Sequence, residues 1–188
     1  MKNDAVIQAE PTPNPRTMKF IVDRKIATET FEMRSALEAT RSPLATKLFG
    51  FPWLESVFVG PNFVAITKQD WVDWDVLAQP LQGLIKEHID EGLPVLNPAE
   101  DKAESAGPGE SDSPVVRRIR EVIDTEIRPA VAMDGGDIVF EKYQDGRVHL
   151  IMRGACSGCP SSAYTLKVGI ETRLKEAVPE IVEVVAVQ

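Results

Sequence analysis

The sequence predicts an α+β protein made of two small α+β domains joined by a flexible linker. Two observations lead to this prediction: residues 97–113 (NPAEDKAESAGPGESDS) contain no large apolar residue, and both flanking segments carry apolar runs of strand and helix periodicity. The acidic stretch cannot bury enough apolar surface to offset the entropy lost on ordering. We therefore expect a first domain at 1–96, a linker at 97–113 and a second domain at 114–188.

The composition excludes several classes of protein. Of 188 residues, 21 are Lys or Arg and 29 are Asp or Glu, and the net charge of -8 argues against a nucleic-acid partner. No apolar run reaches the roughly 18 residues that a membrane span needs. The first residues lack both a secretory signal and an Arg- and Ser-rich transit pattern. We expect a bacterial cytoplasmic protein, with the mitochondrial matrix as the alternative if a presequence is missing.

The first segment predicts an extended arm, a strand, a short helix and a hairpin. The prolines of residues 10–16 exclude a helix, and the apolar run 18–22 that follows has strand length. Ser42, followed by Pro43, predicts the capped start of a helix of about two turns. Strands at 56–59 and 63–68 flank a Gly-Pro-Asn turn and are expected to pair as an antiparallel hairpin.

A longer helix is expected to close the first domain. Asp73 is the predicted N-cap, Gly92 the predicted end, and Pro80 a predicted kink in the first turns. Residues at helical spacing form one apolar stripe along it: Leu77, Leu81, Leu84, Ile85, His88 and Ile89.

The second segment begins with another capped helix. Ser113 precedes a proline, and apolar residues recur at helical spacing until Pro129, where we expect the helix to end. Residues 134–137 (DGGD) predict a turn. Strands at 138–143 and 147–152 flank Asp-Gly, the dipeptide that type I′ hairpins favour.

After the hairpin come the cysteines, a second helix and a last strand. Ser161 or Ser162 is the predicted helix cap, and residues 181–187 form the closing strand. The resulting order is α-β-β-α-β, which predicts a three-stranded mixed sheet with both helices on one face. Cys156 and Cys159 then lie between a strand and a helix.

Residues 154–162 (GACSGCPSS) contain both cysteines of the chain. Two cysteines three positions apart do not resemble a disulfide-stapled secreted domain, so we interpret them as reduced. A Cys-x-x-Cys loop lets two thiolates converge on one metal, and its glycines allow the amides to approach the sulfurs. The start of the following helix would stabilise an anionic iron–sulfur cluster.

Two thiolates do not complete a metal site, because a cubane cluster or a structural zinc ion usually takes four ligands. His149 is expected on a strand and His88 in the other domain, so neither is an obvious third ligand. A two-fold homodimer supplies four equivalent sulfurs with no other residue. A cluster shared in this way lies at a junction between chains, which favours its transfer to a recipient.

Other interpretations stay open at this point. A Cys-x-x-Cys pair between strand and helix is also typical of a dithiol oxidoreductase, and it is sometimes inert or holds zinc in a structural dimer. We interpret Asp134 and Asp137 as turn residues and the three tryptophans as packing residues. No phosphate loop or nucleophile motif is present, so we expect a binding protein rather than an enzyme.

Longer motifs resemble a known family. Residues 127–137 (IRPAVAMDGGD) with 154–162 resemble the C-terminal domain of NifU-like proteins, and the resemblance extends from Val115 to Val187. In the first segment, residues 12–20 (TPNPRTMKF), 42–45 (SPLA), 48–49 (LF) and 57–60 (VFVG) resemble the N-terminal domain of Nfu proteins.

The resemblance implies an Nfu-type carrier that binds a [4Fe-4S] cluster and delivers it to apo iron–sulfur proteins. The family's two ligand cysteines correspond to Cys156 and Cys159. The implied cofactor is a [4Fe-4S] cluster that bridges two subunits, and the implied partners are client apo-proteins and an upstream assembly scaffold. The N-terminal domain, which has no cysteine, is expected to recognise the client.

Overall fold

The structure is a computed structural model that describes residues 4–97, 113–157 and 160–187. The chain divides into two compact units, Met1–Glu100 and Asp101–Gln188. Each unit combines a β-sheet with helices, so the predicted α+β class is confirmed. Most of the predicted linker, residues 98–112, lies outside the described residues.

The first unit is a five-stranded antiparallel sheet with two helices. Its strands follow the spatial order β1-β2-β5-β4-β3. The elements are β1 Ile7–Pro11, β2 Thr17–Val22, β3 Phe31–Met33, α1 Pro43–Leu48, β4 Leu54–Val59, β5 Phe63–Lys68 and α2 Trp74–Asp90. A 3-10 turn at Glu38–Arg41 precedes α1. The predicted hairpin is confirmed as β4 and β5, with the amide of Gly60 donating to the carbonyl of Phe63.

The core of this unit lies between one face of the sheet and the helices. Val64 and Ile66 of β5 have no exposed surface, and neither do Leu48 of α1 and Ile85 of α2. Alternation along β5 directs these two strand residues to the same face. Leu81 and Ile85 of the apolar stripe predicted for α2 are therefore part of this core.

Ser42 caps α1 as predicted and also holds a distant segment. Its Oγ accepts a hydrogen bond of 3.0 Å from the amide of Ala45 and donates one of 2.5 Å to the carbonyl of Val95. Ser42 is fully buried. The hydroxyl therefore ties the start of α1 to the chain that follows α2.

Three details of the first unit differ from the sequence predictions. Strands β1 and β3 were not predicted, because β1 is a mostly exposed edge strand and β3 has only three residues. The proline-rich arm contributes Pro11 to the end of β1, where an edge strand tolerates it. Asp73 occupies the N-cap position of α2, but its side chain makes no capping hydrogen bond.

The second unit has the predicted three-stranded mixed sheet. Strand β7 is central, antiparallel to β6 and parallel to β8. The elements are α3 Pro114–Val122, a π-helical turn Ile123–Ile127, α4 Arg128–Met133, β6 Gly136–Gln144, β7 Arg147–Gly154, α5 Pro160–Ala177 and β8 Glu183–Val187.

Both ends of the β6–β7 hairpin have distinct backbone geometry. Asp145 and Gly146 have φ of 51° and 75°, the pair of positive values that a type I′ turn requires. The register shifts between Phe140 and Lys142, so Glu141 is the extra residue of a β-bulge.

Helices cover one face of this sheet, as predicted. Val148 and Leu150 of β7 are fully buried, whereas the residues that alternate with them are partly exposed. Ile119 of α3 and Leu174 of α5 are also fully buried in the same apolar cluster. No helix in the described part of the chain is both long enough and apolar enough to cross a membrane.

Two predicted helix boundaries in the second unit are wrong. The chain does not leave the helix at Pro129, because this proline is the second residue of α4 and follows the π-helical turn directly. The wider turn changes the hydrogen-bonding pattern just where a proline lacks its amide proton. Helix α5 begins at Pro160, so Ser161 and Ser162 lie inside it instead of capping it.

Replacing Ser42 with alanine should destabilise the first unit by about 2 kcal/mol, because two buried backbone groups lose their partner. Trp53, Trp71 and Trp74 are the chain's three tryptophans, so tryptophan fluorescence follows the unfolding of this unit. The urea midpoint measured by fluorescence should fall. Ser113→Ala, which removes the cap of α3 in the other unit, should leave that midpoint unchanged.

Candidate functional site

Cys156 lies in the connection between β7 and α5. Strand β7 ends at Gly154, whose φ of 64° turns the chain away from the sheet. The amide of Ser157 donates to the carbonyl of Gly154 at 3.0 Å, and the Ser157 hydroxyl donates to the same oxygen at 2.9 Å. These bonds close a tight turn around Cys156. The predicted position between a strand and a helix is thus where the structure places it.

The turn that precedes β6 packs against this loop. The amide of Ala155 donates to the carbonyl of Gly135 at 3.1 Å, and Gly135 itself has φ of 79°. At the adjoining ladder position, Gly136 pairs with Gly154. The first two residues of the cysteine motif, Gly154 and Ala155, are therefore in direct contact with the DGGD turn.

Cys156 is buried, with 5% of its surface exposed, and belongs to the apolar cluster that forms the core of the unit. Ala155 beside it is 3% exposed. Ala155 and Cys156 therefore have a defined packed position in the unit. Thiolate sulfur is the protein ligand that iron–sulfur clusters take, so the donor chemistry of Cys156 fits such a cluster.

An ion pair fixes the start of β6 next to this loop. Arg128 of α4 donates from Nε to Oδ1 of Asp137 at 2.8 Å and from a terminal nitrogen to Oδ2 at 3.0 Å. The Asp137 carboxylate also accepts from the amide of Ile138 at 2.8 Å and is almost fully buried. The hydrogen bond to Asp137 raises the pKa of Arg128 above its ordinary value. This bidentate pair anchors β6 to α4.

Sequence reasoning missed this pair. The sequence pattern predicts Asp137 as a turn residue, but it is the second residue of β6 and its side chain bonds to a helix. Asp134, its predicted companion in the turn, is exposed. A signal for the pair is present in the sequence, because Arg128 and Asp137 both belong to the motif at residues 127–137. The predicted end of the helix at Pro129 gave no reason to expect the two side chains to meet.

In the part of the chain that the structure describes, the two histidines do not join Cys156 in a group of metal ligands. Cys159 lies outside the described residues. His149 is on β7 and partly exposed, and His88 is fully buried in the first unit with Nε2 3.0 Å from the carbonyl of Pro94. Among the described residues, no group of three or more His, Cys, Asp or Glu side chains could hold a metal ion.

Comparisons with known proteins assign both units. The family model described as "NifU-like domain" matches residues 119–185, and the one described as "Scaffold protein Nfu/NifU N terminal" matches residues 7–92. A human protein named "NFU1 iron-sulfur cluster scaffold homolog, mitochondrial" is 39% identical over 177 residues, which cover 93% of this chain and 69% of that protein. The chain belongs to the Nfu family.

A second relative with the same protein name agrees with this assignment. A protein of the same name from Drosophila sechellia is 41% identical over 177 residues, again 93% of this chain. The chain spans 62% of that relative's length. Among solved structures, a NifU-like protein from Saccharomyces cerevisiae matches 50% of this chain and 87% of its own, with 22% identity and a TM-score of 0.46.

Replacing Arg128 with methionine should destabilise the second unit by about 2 kcal/mol, because the buried carboxylate of Asp137 loses its guanidinium partner. Hydrogen exchange of peptides from β6 and β7 reports this unit alone. Their opening free energy should fall.

Arg118→Met is the matched control. Arg118 pairs with Glu121 on the exposed face of α3, so its loss should change the same opening free energy by no more than about 0.5 kcal/mol. Equal effects of the two substitutions would contradict a structural role for the Arg128–Asp137 pair.

Proposed function

We propose that this chain is an iron–sulfur cluster scaffold and carrier whose cluster ligands are Cys156 and Cys159. The observation that carries the proposal is the position of Cys156 in a tightly turned loop against the DGGD turn. The names of the Nfu relatives, which describe cluster scaffolds, support the same chemistry. The action is binding and delivery, not catalysis of a covalent reaction.

The proposed cargo is a [4Fe-4S] cluster held between two copies of the chain. A single chain contains only two cysteines, whereas such a cluster usually takes four thiolates. A two-fold axis beside the cysteine loops gives the missing pair without another type of ligand. The second unit is therefore the proposed dimerisation unit.

Delivery follows from this shared coordination. A cluster at a junction between chains is within reach of a recipient's thiolates, which can replace the carrier's cysteines one at a time. The partners are apo iron–sulfur proteins that receive the cluster and an upstream scaffold that supplies it. The first unit is proposed to recognise the recipient, and residues 97–113 to act as a flexible tether that raises the local concentration of donor.

The relatives bear on the compartment as well. Both are named mitochondrial, which fits the alternative of the mitochondrial matrix. The expectation of a bacterial cytoplasmic location has no support from them.

Anaerobic reconstitution with iron and sulfide tests the proposal. The chain should acquire a visible chromophore, about four iron and four sulfide per two chains, and the mass of a dimer. Cys156→Ala and Cys159→Ala should each abolish the chromophore and leave a monomer. Arg118→Met changes an exposed residue of α3 away from the cysteine loop and removes no thiol, so this control should reconstitute normally.

Each rival function has its own outcome in this experiment. A colourless dimer that contains zinc would identify a structural zinc dimer. A chain that forms no chromophore and reduces disulfides would identify a dithiol oxidoreductase. A chromophore that forms equally well without Cys156 would also overturn the proposal. A separate measurement tests delivery by following the loss of the cluster from the coloured dimer. The loss should be faster with a cysteine-containing apo-protein than with a chelator that supplies the same concentration of metal-binding groups.

A further inference from the structure

The sulfur of Cys156 occupies the space that a side chain at position 136 would need. A Cβ atom built on Gly136 would lie 2.3 Å from Sγ of Cys156, 3.3 Å from its Cβ and 2.9 Å from the carbonyl oxygen of Arg153. The first and last of these distances are shorter than real Cβ atoms show in proteins. The sulfur therefore rests directly against the backbone of β6.

Gly136 is needed for space and not for its backbone angles. Positive φ angles occur at Gly135, which precedes Gly136 in the sequence, and at Gly154, which pairs with it in the ladder. Gly136 itself does not have a positive φ. An alanine could adopt the backbone conformation of position 136. It would fail there only because the sulfur and the Arg153 carbonyl fill the volume.

The backbone of β6 is not free to move away from the sulfur. Gly136 pairs with Gly154 in the ladder, and the preceding carbonyl, that of Gly135, accepts the amide of Ala155. On the other side, Asp137 is held by the bidentate bonds from Arg128. The cysteine side chain, which turns about a single bond, is the softer partner in this contact.

We propose that Gly136 is a positioning residue for the thiol of Cys156. Its missing side chain creates a recess, which we call the sulfur recess, bounded by Gly136 and the Arg153 carbonyl. The recess holds the thiol inside the unit when no cluster is bound and limits its reaction with other molecules. The inference rests on the proposed function only in that Cys156 is a cluster ligand.

The rate at which Cys156 is alkylated tests this role in the protein without a cluster. In the full chain with Cys159→Ser, Cys156 is the single thiol. Iodoacetamide forms a carbon–sulfur bond with its thiolate and releases iodide. Gly136→Ala should expel the sulfur from the recess and raise the alkylation rate about tenfold.

Gly169→Ala is the matched control, because a Cβ at this glycine of α5 would meet no atom within 4 Å. Its alkylation rate should not rise. Repeating the measurement at low urea concentrations separates local from global effects: exposure by expulsion is independent of urea, whereas exposure by unfolding grows with it. An unchanged rate in Gly136→Ala, or an increase that follows the urea dependence of global unfolding, overturns the proposal.

A double-mutant cycle covers the case in which Gly136→Ala folds poorly. If the sulfur is the obstacle, the cost of Gly136→Ala must be smaller in a Cys156→Ala background, where Sγ is absent. Additive costs would contradict the proposal. Neither readout involves iron, so a failure of reconstitution would reject the carrier function while leaving the sulfur recess intact.

Discussion

The pairing of Gly136 with Gly154 determines the geometry of the cysteine loop. It joins the first residue of β6 to the last residue of β7, so the turn that enters the hairpin and the loop that leaves it meet at one end of the sheet. The carbonyl of Gly135 can then accept the amide of Ala155. Because Gly136 has no side chain, the sulfur of Cys156 can lie against the backbone of β6.

Strong local signals were sufficient for much of the fold. Asp145-Gly146 predicted a hairpin because these two residues readily adopt the positive φ angles of its turn. Ser42-Pro43 predicted a helix start because the serine caps the amide three residues later. Both signals depend only on residues close together in the sequence. The error at Pro129 arose because the backbone hydrogen-bonding pattern changes just before the proline without a sequence signal. Pro129 is a reliable helix breaker only if the preceding turn is α-helical, and the π-helical turn Ile123–Ile127 removes that condition.

The candidate site was predictable in position but not in detail. The order of elements placed Cys156 between a strand and a helix, which the structure confirms. Its burial depends on a contact with Gly136, twenty positions earlier in the chain, that no local pattern reveals. No local pattern reveals the Arg128–Asp137 pair either. The two side chains meet only because α4 continues past Pro129.

The β-bulge at Glu141 limits how the sheet of the second unit can grow. Strand β6 is an edge strand, and such strands pair readily with any extended chain that reaches them. The bulge interrupts the regular spacing of free amides and carbonyls, and the exposed charges of Glu141 and Lys142 stand beside it. A neighbouring polypeptide therefore finds no uninterrupted template along the full length of β6.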